Sequence, residues 1–250
     1  MKHLEPKSTR PTSKFIVALR GAGDLSTGVA LRLYRCGFRV VLTELASPLC
    51  IRRTVAFAEA AFSGSTEVEG VRCCVIQSAD AAEIAWAKGE IPMLIDPDLR
   101  EVCRLGPDVL VDARIMKSWR EDTKIEDAAL VIGLGPGFRA GENVDCVIET
   151  NRGHDLGRVI WDGEAEPNTG VPGLIRGEGA ARVLKSPADG IFVPLVEIGA
   201  SVEAGEPIAE VHDPETGETL GTINASLTGI VRGVLHAGLP VQAGLKVMDI

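Results

Sequence analysis

The stretch RGAGDLSTGVALRLYRCGFRVVLTE, from Arg20 to Glu44, decides the fold of the first half of the chain. It follows FIVALR, a short continuous apolar run that is typical of a buried strand. The segment DLSTGVALRLYRCG carries apolar residues at helical spacing, and RVVLTE has the composition of a second strand. The pattern predicts a strand, a helix and a second strand in succession, joined by a glycine-rich turn.

The same alternation continues as far as residue 165. Further strands are predicted at VRCCVIQ, PMLID, VLVDAR, ALVIGLG and DCVIET, and a helix at DAAEIAWAKG. Continuous apolar strands that alternate with helices are typical of a mostly parallel sheet covered on both faces. We therefore predict a Rossmann-like α/β domain over residues 15–165, a disordered tail over 1–14, and a Gly- and Pro-containing linker over 166–185.

The end of the chain contains an internal repeat. SPADGIFVPLVEIGASVEAGEPIAEV (186–211) aligns without a gap on ASLTGIVRGVLHAGLPVQAGLKVMDI (225–250). Three glycines of the first copy coincide with three of the second: Gly190, Gly199 and Gly205 with Gly229, Gly238 and Gly244. Such a repeat indicates two copies of one β unit, with glycines where the backbone needs positive φ. We predict a small all-β barrel-sandwich hybrid domain over residues 186–250.

The repeated unit resembles the barrel-sandwich domains that carry biotin or lipoate, and also the C-terminal β-domain of the succinylglutamate desuccinylase and aspartoacylase family. A carrier domain joins its cofactor to a lysine in the hairpin between its halves. The chain has no lysine between Lys185 and Lys246. The resemblance therefore implies a packing or docking domain without a carrier function.

Composition excludes several classes of function. The formal net charge is −9, and no basic stripe is present, which argues against nucleic acid as a partner. No apolar run approaches the roughly 20 residues of a membrane span, and the first residues lack the apolar centre of a signal peptide. Six cysteines without CxxC spacing fit reduced thiols. We therefore expect a cytoplasmic protein with neither a nucleic-acid nor a membrane partner.

The turn after the first strand resembles a dinucleotide-binding turn with one substitution. Gly21 and Gly23 take the first two glycine positions, and Ser26 stands at the third. Glu44 ends the next strand, where an acidic residue can bind a ribose hydroxyl. Asp24 suits the positive end of a helix dipole but would repel a phosphate, so a structural turn and a different ligand remain alternatives. The cofactor-binding residues predicted here are Gly21, Ala22, Gly23, Asp24, Leu25 and Glu44.

A second group of candidates lies in GLGPGFRAGENVDCVIETNRGHDLG, residues 133–157. This stretch begins at the end of a predicted strand, where open α/β sheets place their ligands. Gly135, Gly137 and Arg139 are predicted to contact a cofactor. The catalytic candidates are His154, which suits proton transfer, and Cys146, together with Asp112 at the end of another strand. No metal site is predicted, and no HExxH or Walker lysine is present.

Three long segments carry a wider resemblance: RGAGDLSTGVALRLYRCGFRVVLTEL, GLGPGFRAGENVDCVIETNRGHDLGRVIW and EPNTGVPG. They resemble the YqeB-type family of selenium-dependent molybdenum hydroxylase system proteins, and the α/β part is similar to XdhC-type molybdenum cofactor chaperones. The resemblance implies an accessory role in maturation, with a molybdenum hydroxylase subunit as partner. NAD(P) or a molybdopterin dinucleotide would be the ligand, and Cys146 would accept sulfur or selenium.

Two other functions agree with the same residues. An NAD(P)-dependent oxidoreductase would act on a small substrate, with His154 or Asp112 transferring a proton. A scaffold without catalysis would use the glycine turn as structure only and would dock a hydroxylase through its β-domain.

Overall fold

The computed structural model describes residues 11–115, 118–119, 121–170 and 179–250. The chain forms two compact units. Unit 1 runs up to Ala46 and from Ala60 to Pro167, and unit 2 comprises Ser47–Glu59 and the chain from Asn168 to Ile250. The segment Ser47–Glu59 thus belongs to unit 2, although it lies within the residue range that the sequence assigns to the α/β domain.

The described residues of unit 1 form eleven strands and four α-helices. The strands are β1 (Ile16–Arg20), β2 (Arg39–Glu44), β3 (Ser65–Val68), β4 (Val71–Ile76), β5 (Ile91–Ile95), β6 (Val109–Asp112), β7 (Leu130–Leu134), β8 (Arg139–Ala140), β9 (Cys146–Ile148), β10 (Val159–Ile160) and β11 (Gly163–Glu164). The helices are α1 (Asp24–Arg35), α2 (Ala60–Ser63), α3 (Ala82–Ala87) and α4 (Arg100–Cys103), with 3-10 turns at Thr12–Lys14 and Ala79–Ala81.

Nine of these strands form one mixed sheet in the order β10-β9-β7-β6-β1-β2-β5-β4-β3. Neighbours from β9 to β4 are parallel, whereas β10 and β3 pair in the antiparallel sense at the two edges. The β1–α1–β2 unit is present as predicted. Because the central strands are parallel, their carboxyl ends meet at one edge of the sheet, and the candidate residues follow several of those ends.

The predicted fold class, a Rossmann-like mostly parallel sheet followed by a barrel-sandwich hybrid domain, is wrong. The sheet is mixed, because Glu69 (φ 49°) and Gly70 (φ 76°) form a tight turn that folds β3 back on β4 as a hairpin. The sequence pattern missed β3, whose residues STEV are largely polar. Helices are also scarce: among the described residues only α1, with twelve residues, is longer than six.

Among the residues that the structure describes, no helix is long and apolar enough to cross a membrane. Its longest helix falls well short of the roughly 20 residues that a span requires.

One face of the sheet carries a continuous apolar core. Ala18, Val41 and Leu110 are among its buried members, and the ring of Phe138 packs over Gly133 on β7. A Cβ added at Gly133 would lie 2.7 Å from the Cβ of Phe138 and closer still to its ring. Glycine at this position is therefore required by the approach of the ring and not by its own backbone angles.

This contact allows a test of the core. We expect Gly133→Ala to lower the free energy of unfolding of unit 1 by about 1–3 kcal/mol, because the extra methyl group overpacks the interior. Adding Phe138→Leu should recover part of the loss. Gly153→Ala is the control, since nothing lies within 4 Å of a Cβ added there. Urea unfolding followed by tryptophan fluorescence would measure all three; equal midpoints for Gly133→Ala and Gly153→Ala would contradict the packing argument.

Unit 2 consists of short antiparallel strands. They are β12 (Val183–Lys185), β13 (Gly190–Pro194), β14 (Ser201–Val202), β15 (Pro207–His212), β16 (Thr219–Asn224), β17 (Gly229–Ile230), β18 (Gly233–Val234), β19 (Pro240–Val241) and β20 (Lys246–Asp249). The part of this unit that the structure describes also has 3-10 turns at Arg53–Val55, Phe57–Glu59 and Ala180–Arg182. Its strands form small sheets in the orders β12-β20-β18, β16-β15-β13-β19 and β14-β17.

The internal repeat is visible in unit 2. Two of the three aligned glycine pairs have matching positive φ, as predicted: Gly199 and Gly238 (94° and 80°), and Gly205 and Gly244 (89° and 85°). The predicted barrel-sandwich does not follow from this repeat. Strands of two residues and register shifts beside β15 and β20 interrupt the ladders, so the strands divide into separate small sheets.

Candidate ligand-binding cavity

Polar side chains end the central strands of the sheet. Thr43, Arg20 and Asp112 are aligned in register at the ends of β2, β1 and β6. All three are buried, and Asp112 has no exposed surface. The Nε of Arg20 and the Oγ1 of Thr43 have no hydrogen-bond partner among the described residues. Buried polar side chains therefore lie where the central strands of the sheet reach their carboxyl ends.

Asp112 is the centre of a closed ionic network. Its Oδ2 accepts hydrogen bonds from Nη2 of Arg114 and Oγ1 of Thr123, both at 2.6 Å, and its Oδ1 accepts one from Nε of Arg114 at 3.0 Å. Arg20 donates to the carbonyl of Pro97 at 2.6 Å and to Thr123 at 2.8 Å. These bonds hold the segments after β5 and β6 over the strand ends.

Asp122 closes the network on its outer side. Nη1 of Arg114 donates to the Asp122 carboxylate at 2.8 Å, and this hydrogen bond lowers the pKa of Asp122 to about 2. Burial lowers the pKa of Arg114, but its hydrogen bonds to Asp112 and Asp122 raise it by more. Arg114 and Asp122 thus stay charged and paired at neutral pH. The role of Asp112 in proton transfer stays a prediction, and its contacts favour a structural role.

The glycine turn binds a carboxylate of the protein itself. The Ala22 N–H donates to Oε2 of Glu44 at 2.7 Å, and the Leu45 N–H donates to Oε1 at 2.8 Å. Gly21 has φ of 96°, and Gly23 precedes α1, which begins with Asp24 and the exposed Leu25. A phosphate at this turn would meet the Glu44 charge, which repels it, and Glu44 is not free for a ribose.

The second predicted group lies along β7, β8 and β9. Gly135 and Gly137 have positive φ in the turn after β7, and a Cβ at Gly135 would meet Oγ1 of Thr150. Cys146 is buried on β9, and burial raises the pKa of its thiol. Because the thiolate is the reactive form, this setting makes Cys146 a weak nucleophile.

Arg139 lies on β8, and His154 lies in the segment after β9, outside the glycine turn. Arg139 pairs with Glu142 at 3.1 Å and with Glu164 at 3.2 Å, and His154 is exposed. In the sheet, β9 is three positions from β1, which at ordinary strand spacing is about 14 Å. A shared ligand site for the two predicted groups stays a prediction.

A cavity of about 370 Å³ lies beside the end of β9. Five carboxylates and a single guanidinium line it, together with one tryptophan and two aliphatic side chains. The lining residues are Glu149, Asp155, Arg158, Val159, Ile160, Trp161, Asp162, Glu164 and Glu166. Its position at the carboxyl end of a parallel strand is where open α/β sheets place ligands.

Glu149 is the buried member of this lining, with 3% of its surface exposed. Its Oε1 accepts the N–H groups of Thr150 and Asn151, and its Oε2 accepts the N–H of Glu166, each at 2.7 Å. Burial raises the pKa of Glu149, but the three N–H donors together lower it by more. The cavity therefore contains a carboxylate that is fixed in place and ionised at neutral pH.

Three of the other carboxylates are also held by neighbours. Asp155 pairs with Arg158 at 3.2 Å, and Glu164 pairs with Arg139. Glu166 accepts a hydrogen bond from the side-chain amide of Asn151. These contacts leave the carboxylates in defined positions around the cavity.

Asp162 and Trp161 differ from the rest of the lining. Within the described ranges, no hydrogen bond or ion pair of the Asp162 carboxylate is found. The indole of Trp161 beside it is 54% exposed. Sequence reasoning missed both residues, although an aromatic residue within the acidic stretch WDGEAE is a signal that could have indicated them.

No metal centre accompanies the cavity. In the part of the chain that the structure describes, no three His, Cys, Asp or Glu side chains come together so that they could hold a metal ion. The carboxylates around the cavity are spread over its walls and do not converge on one point.

The chain is similar in sequence to a curated protein and in structure to several solved proteins. No family model matches the chain. An uncharacterized protein, YqeB, from Escherichia coli strain K12 is 44% identical over 244 residues, which cover 98% of this chain and 44% of the relative. The chain therefore spans less than half the length of that curated relative.

The chain is also similar to solved structures, among them an ectoine utilization protein and proteins of the succinylglutamate desuccinylase and aspartoacylase family. The ectoine utilization protein EutE from Ruegeria pomeroyi is 14% identical, over 94% of this chain and 84% of that one, with a TM-score of 0.34. An aspartoacylase family protein from Mesorhizobium loti is 12% identical, over 94% and 83%, with a TM-score of 0.29. A succinylglutamate desuccinylase/aspartoacylase from Rhodobacter sphaeroides is 25% identical, over 38% and 30%, with a TM-score of 0.25. These scores are low, and they assign no activity to this chain.

These findings correct the function inferred from the resemblance. The curated relative is uncharacterized, and the solved structures named above are an ectoine utilization protein and proteins of the succinylglutamate desuccinylase and aspartoacylase family; none of those named is an XdhC-type chaperone. The prediction of an accessory role for selenium-dependent molybdenum hydroxylases is therefore wrong, together with its alternatives, an NAD(P)-dependent oxidoreductase and a hydroxylase-docking scaffold. Binding of a dinucleotide at the glycine turn stays a prediction, and the Glu44 carboxylate that Ala22 N–H contacts there disfavours it.

Proposed function

We propose that the cavity beside β9 binds a small, positively charged ligand. One observation carries the proposal: five carboxylates and one guanidinium surround a space of about 370 Å³. Ligand pockets commonly have volumes of roughly 300–1,000 Å³, so this cavity has room for a small metabolite. A cleft lined by one sign of charge raises the local concentration of ions of the opposite sign.

Electrostatic attraction is strong enough to select the sign of the ligand. Two unit charges about 5 Å apart attract by roughly 3 kcal/mol at the effective dielectric constant of a protein surface. Three of the carboxylates, those of Glu149, Asp162 and Glu166, form no ion pair within the described ranges and act on a ligand in this cavity at once. Asp155 and Glu164 are paired with Arg158 and Arg139. An anion of the same size would be repelled by the same groups.

The fixed geometry of the carboxylates supports binding further. Glu149 is held by three backbone N–H groups, and the side chains of Glu164 and Glu166 by Arg139 and Asn151. Groups that are already in place lose little conformational freedom when a ligand arrives. The carboxylates can therefore contact a ligand without a rearrangement of the cavity, which favours binding.

The proposal predicts binding of a diamine. We expect 1,4-diaminobutane to bind in isothermal titration calorimetry, and to bind more weakly in 200 mM than in 50 mM NaCl because salt screens the attraction. Asp162→Asn should weaken binding by about two- to fivefold, the range for one partly exposed charge. Glu67→Gln is the matched control, since Glu67 is exposed on β3 at the other edge of the sheet.

Two results would contradict this function. One is succinate binding as tightly as the diamine. The other is a diamine affinity that Asp162→Asn and Glu67→Gln change equally.

We also propose a cytoplasmic location for the protein. None of the six cysteines, all of which lie in the described ranges, forms a disulfide, which is the usual state in a reducing compartment.

A further inference from the structure

Trp161 is an unusual residue for a cavity wall rich in charge. It lies with Asp162 between β10 and β11, and both side chains line the cavity. More than half of the indole is exposed. A large aromatic group left in water loses the stabilisation that burial would provide, roughly 25 cal/mol for each Å². Its exposure at a cavity therefore points to a ligand that covers it.

We infer that Trp161 selects the kind of cation that the cavity accepts, namely an alkylated ammonium or a guanidinium group. This inference rests on the proposed function, because it names the class of ligand for the same cavity. A cation in contact with an indole is attracted by the ring quadrupole, and tryptophan is the best of the aromatic side chains in this role. Asp162 supplies the opposite charge beside the ring.

The state of the carboxylates favours an organic cation over a metal ion. A hard divalent cation requires several oxygen ligands at short distance. Among the described residues no such group exists, and the carboxylates of Asp155, Glu164 and Glu166 already contact protein donors. A methylated ammonium group needs no such shell, because its charge is spread over methyl groups that pack on an aromatic surface.

Asp162 and Trp161 make separable contributions. The charge of Asp162 acts on every cation, whatever its substituents. The indole of Trp161 acts more strongly on a cation whose hydration shell is weak. Substitution of Asp162 alone should therefore change the affinity for every cation. Substitution of Trp161 alone should change the selectivity between cations.

The test compares two ligands of equal charge, the butylammonium ion and the N,N,N-trimethylbutylammonium ion, by isothermal titration calorimetry of the full chain. We expect the trimethylated ion to bind the unaltered protein more tightly. Trp161→Leu should weaken its binding by about 3- to 30-fold, the range for a cation on an aromatic ring, and should remove the preference between the two ions. Trp161→Phe should retain part of it. Asp162→Asn should weaken both ions by the same factor.

Trp119→Leu is the matched control. Trp119 is also about half exposed, lies in the same unit, and is not part of the cavity lining. Its replacement should leave both affinities unchanged. An unchanged urea midpoint of unit 1 in Trp161→Leu would show that the variant is folded, and Trp161→Phe provides a second folded variant if that midpoint moves.

The outcomes separate this inference from the function on which it rests. If both ions bind and Trp161→Leu changes neither affinity, the role of Trp161 is overturned while cation binding stands. If Mg²⁺ displaces the trimethylated ion at an equal concentration, the organic class of the ligand is overturned. If no cation binds the unaltered protein, the proposed function fails as well.

Discussion

Asp112→Asn is expected to lower the free energy of unfolding of unit 1 by about 3–5 kcal/mol. Asp112 is fully buried, and both carboxylate oxygens accept hydrogen bonds from Arg114 or Thr123. An asparagine of the same shape would turn an NH₂ group toward the Arg114 guanidinium, so that two donors face each other. The substitution removes the buried partner of Arg114 and leaves the guanidinium with only the partly exposed Asp122 as counter-charge; breaking a buried pair in this way accounts for the size of the effect.

The three tryptophans make this loss measurable in unit 1 alone. Trp86, Trp119 and Trp161 all lie between Ala60 and Pro167, so tryptophan fluorescence during urea unfolding follows unit 1. Asp122→Asn is the matched control. Asp122 binds the same arginine, but its side chain is 41% exposed, and we expect a loss of about 1 kcal/mol or less. Equal losses in the two variants would show that burial of Asp112 has no special effect.

Asp249→Asn is expected to destabilise unit 2 by a similar amount, about 3–5 kcal/mol. The Asp249 carboxylate is fully buried, and its oxygens meet Arg182 at 2.7 Å, Arg52 at 3.1 Å and Lys246 at 3.6 Å. The substitution removes a negative charge that three cations share. Hydrogen exchange of backbone amides in β12, β18 and β20 would measure the loss, since unit 2 contains no tryptophan.

The same residue predicts how unit 2 depends on pH. Burial raises the pKa of Asp249, but the hydrogen bond from Arg52 and the charges of Lys246 and Arg182 lower it by more. The carboxylate therefore has a lower pKa folded than unfolded. Its contribution is fully present above the unfolded pKa of about 4 and is lost as pH falls through the folded pKa. Asp249→Asn should abolish this part of the acid sensitivity.

Glu197→Gln serves as the control for Asp249→Asn. Glu197 pairs with Arg53 at 3.5 Å, and its side chain is 84% exposed. Exposed ion pairs contribute little to the free energy of unfolding, so the rates of hydrogen exchange in unit 2 should be nearly unchanged. If Glu197→Gln accelerates exchange as much as Asp249→Asn, the effect does not come from the buried carboxylate.

The sequence predicts those elements whose pattern is local and apolar. The strands β1 and β2 and the helix α1 appear where periodicity places them, and the two glycine turns of the repeat have the expected φ. The strand β3 was missed because STEV has no apolar run, and its direction depends on the turn at Glu69 and Gly70. The fold class was predicted wrongly because the sequence pattern does not show that the edge strands of the sheet pair in the antiparallel sense.

Prediction of the candidate site depends on contacts that are not local in sequence. The sequence indicates residues by type, whereas their availability depends on hydrogen bonds that it does not show. Glu44 has the expected position at the end of β2, but its carboxylate accepts a hydrogen bond from the N–H of Ala22. Residues within 149–166 line the cavity. An ordinary acidic loop and a ligand site would have the same amino-acid composition in this stretch, so composition alone does not distinguish them.

The pairing in unit 2 has a consequence for synthesis of the chain. The first copy of the repeat satisfies only part of its strands, because β13 pairs with β15 inside the copy but its other edge does not. Gly190 on β13 pairs with Val241 on β19, and Ser201 on β14 pairs with Ile230 on β17. Both partners belong to the second copy. At translation rates of about 5–20 residues per second, the first copy leaves the ribosome seconds before these partners exist. During that interval its open edges are exposed to other nascent chains, and an exchange of copies between two molecules would give an intertwined dimer.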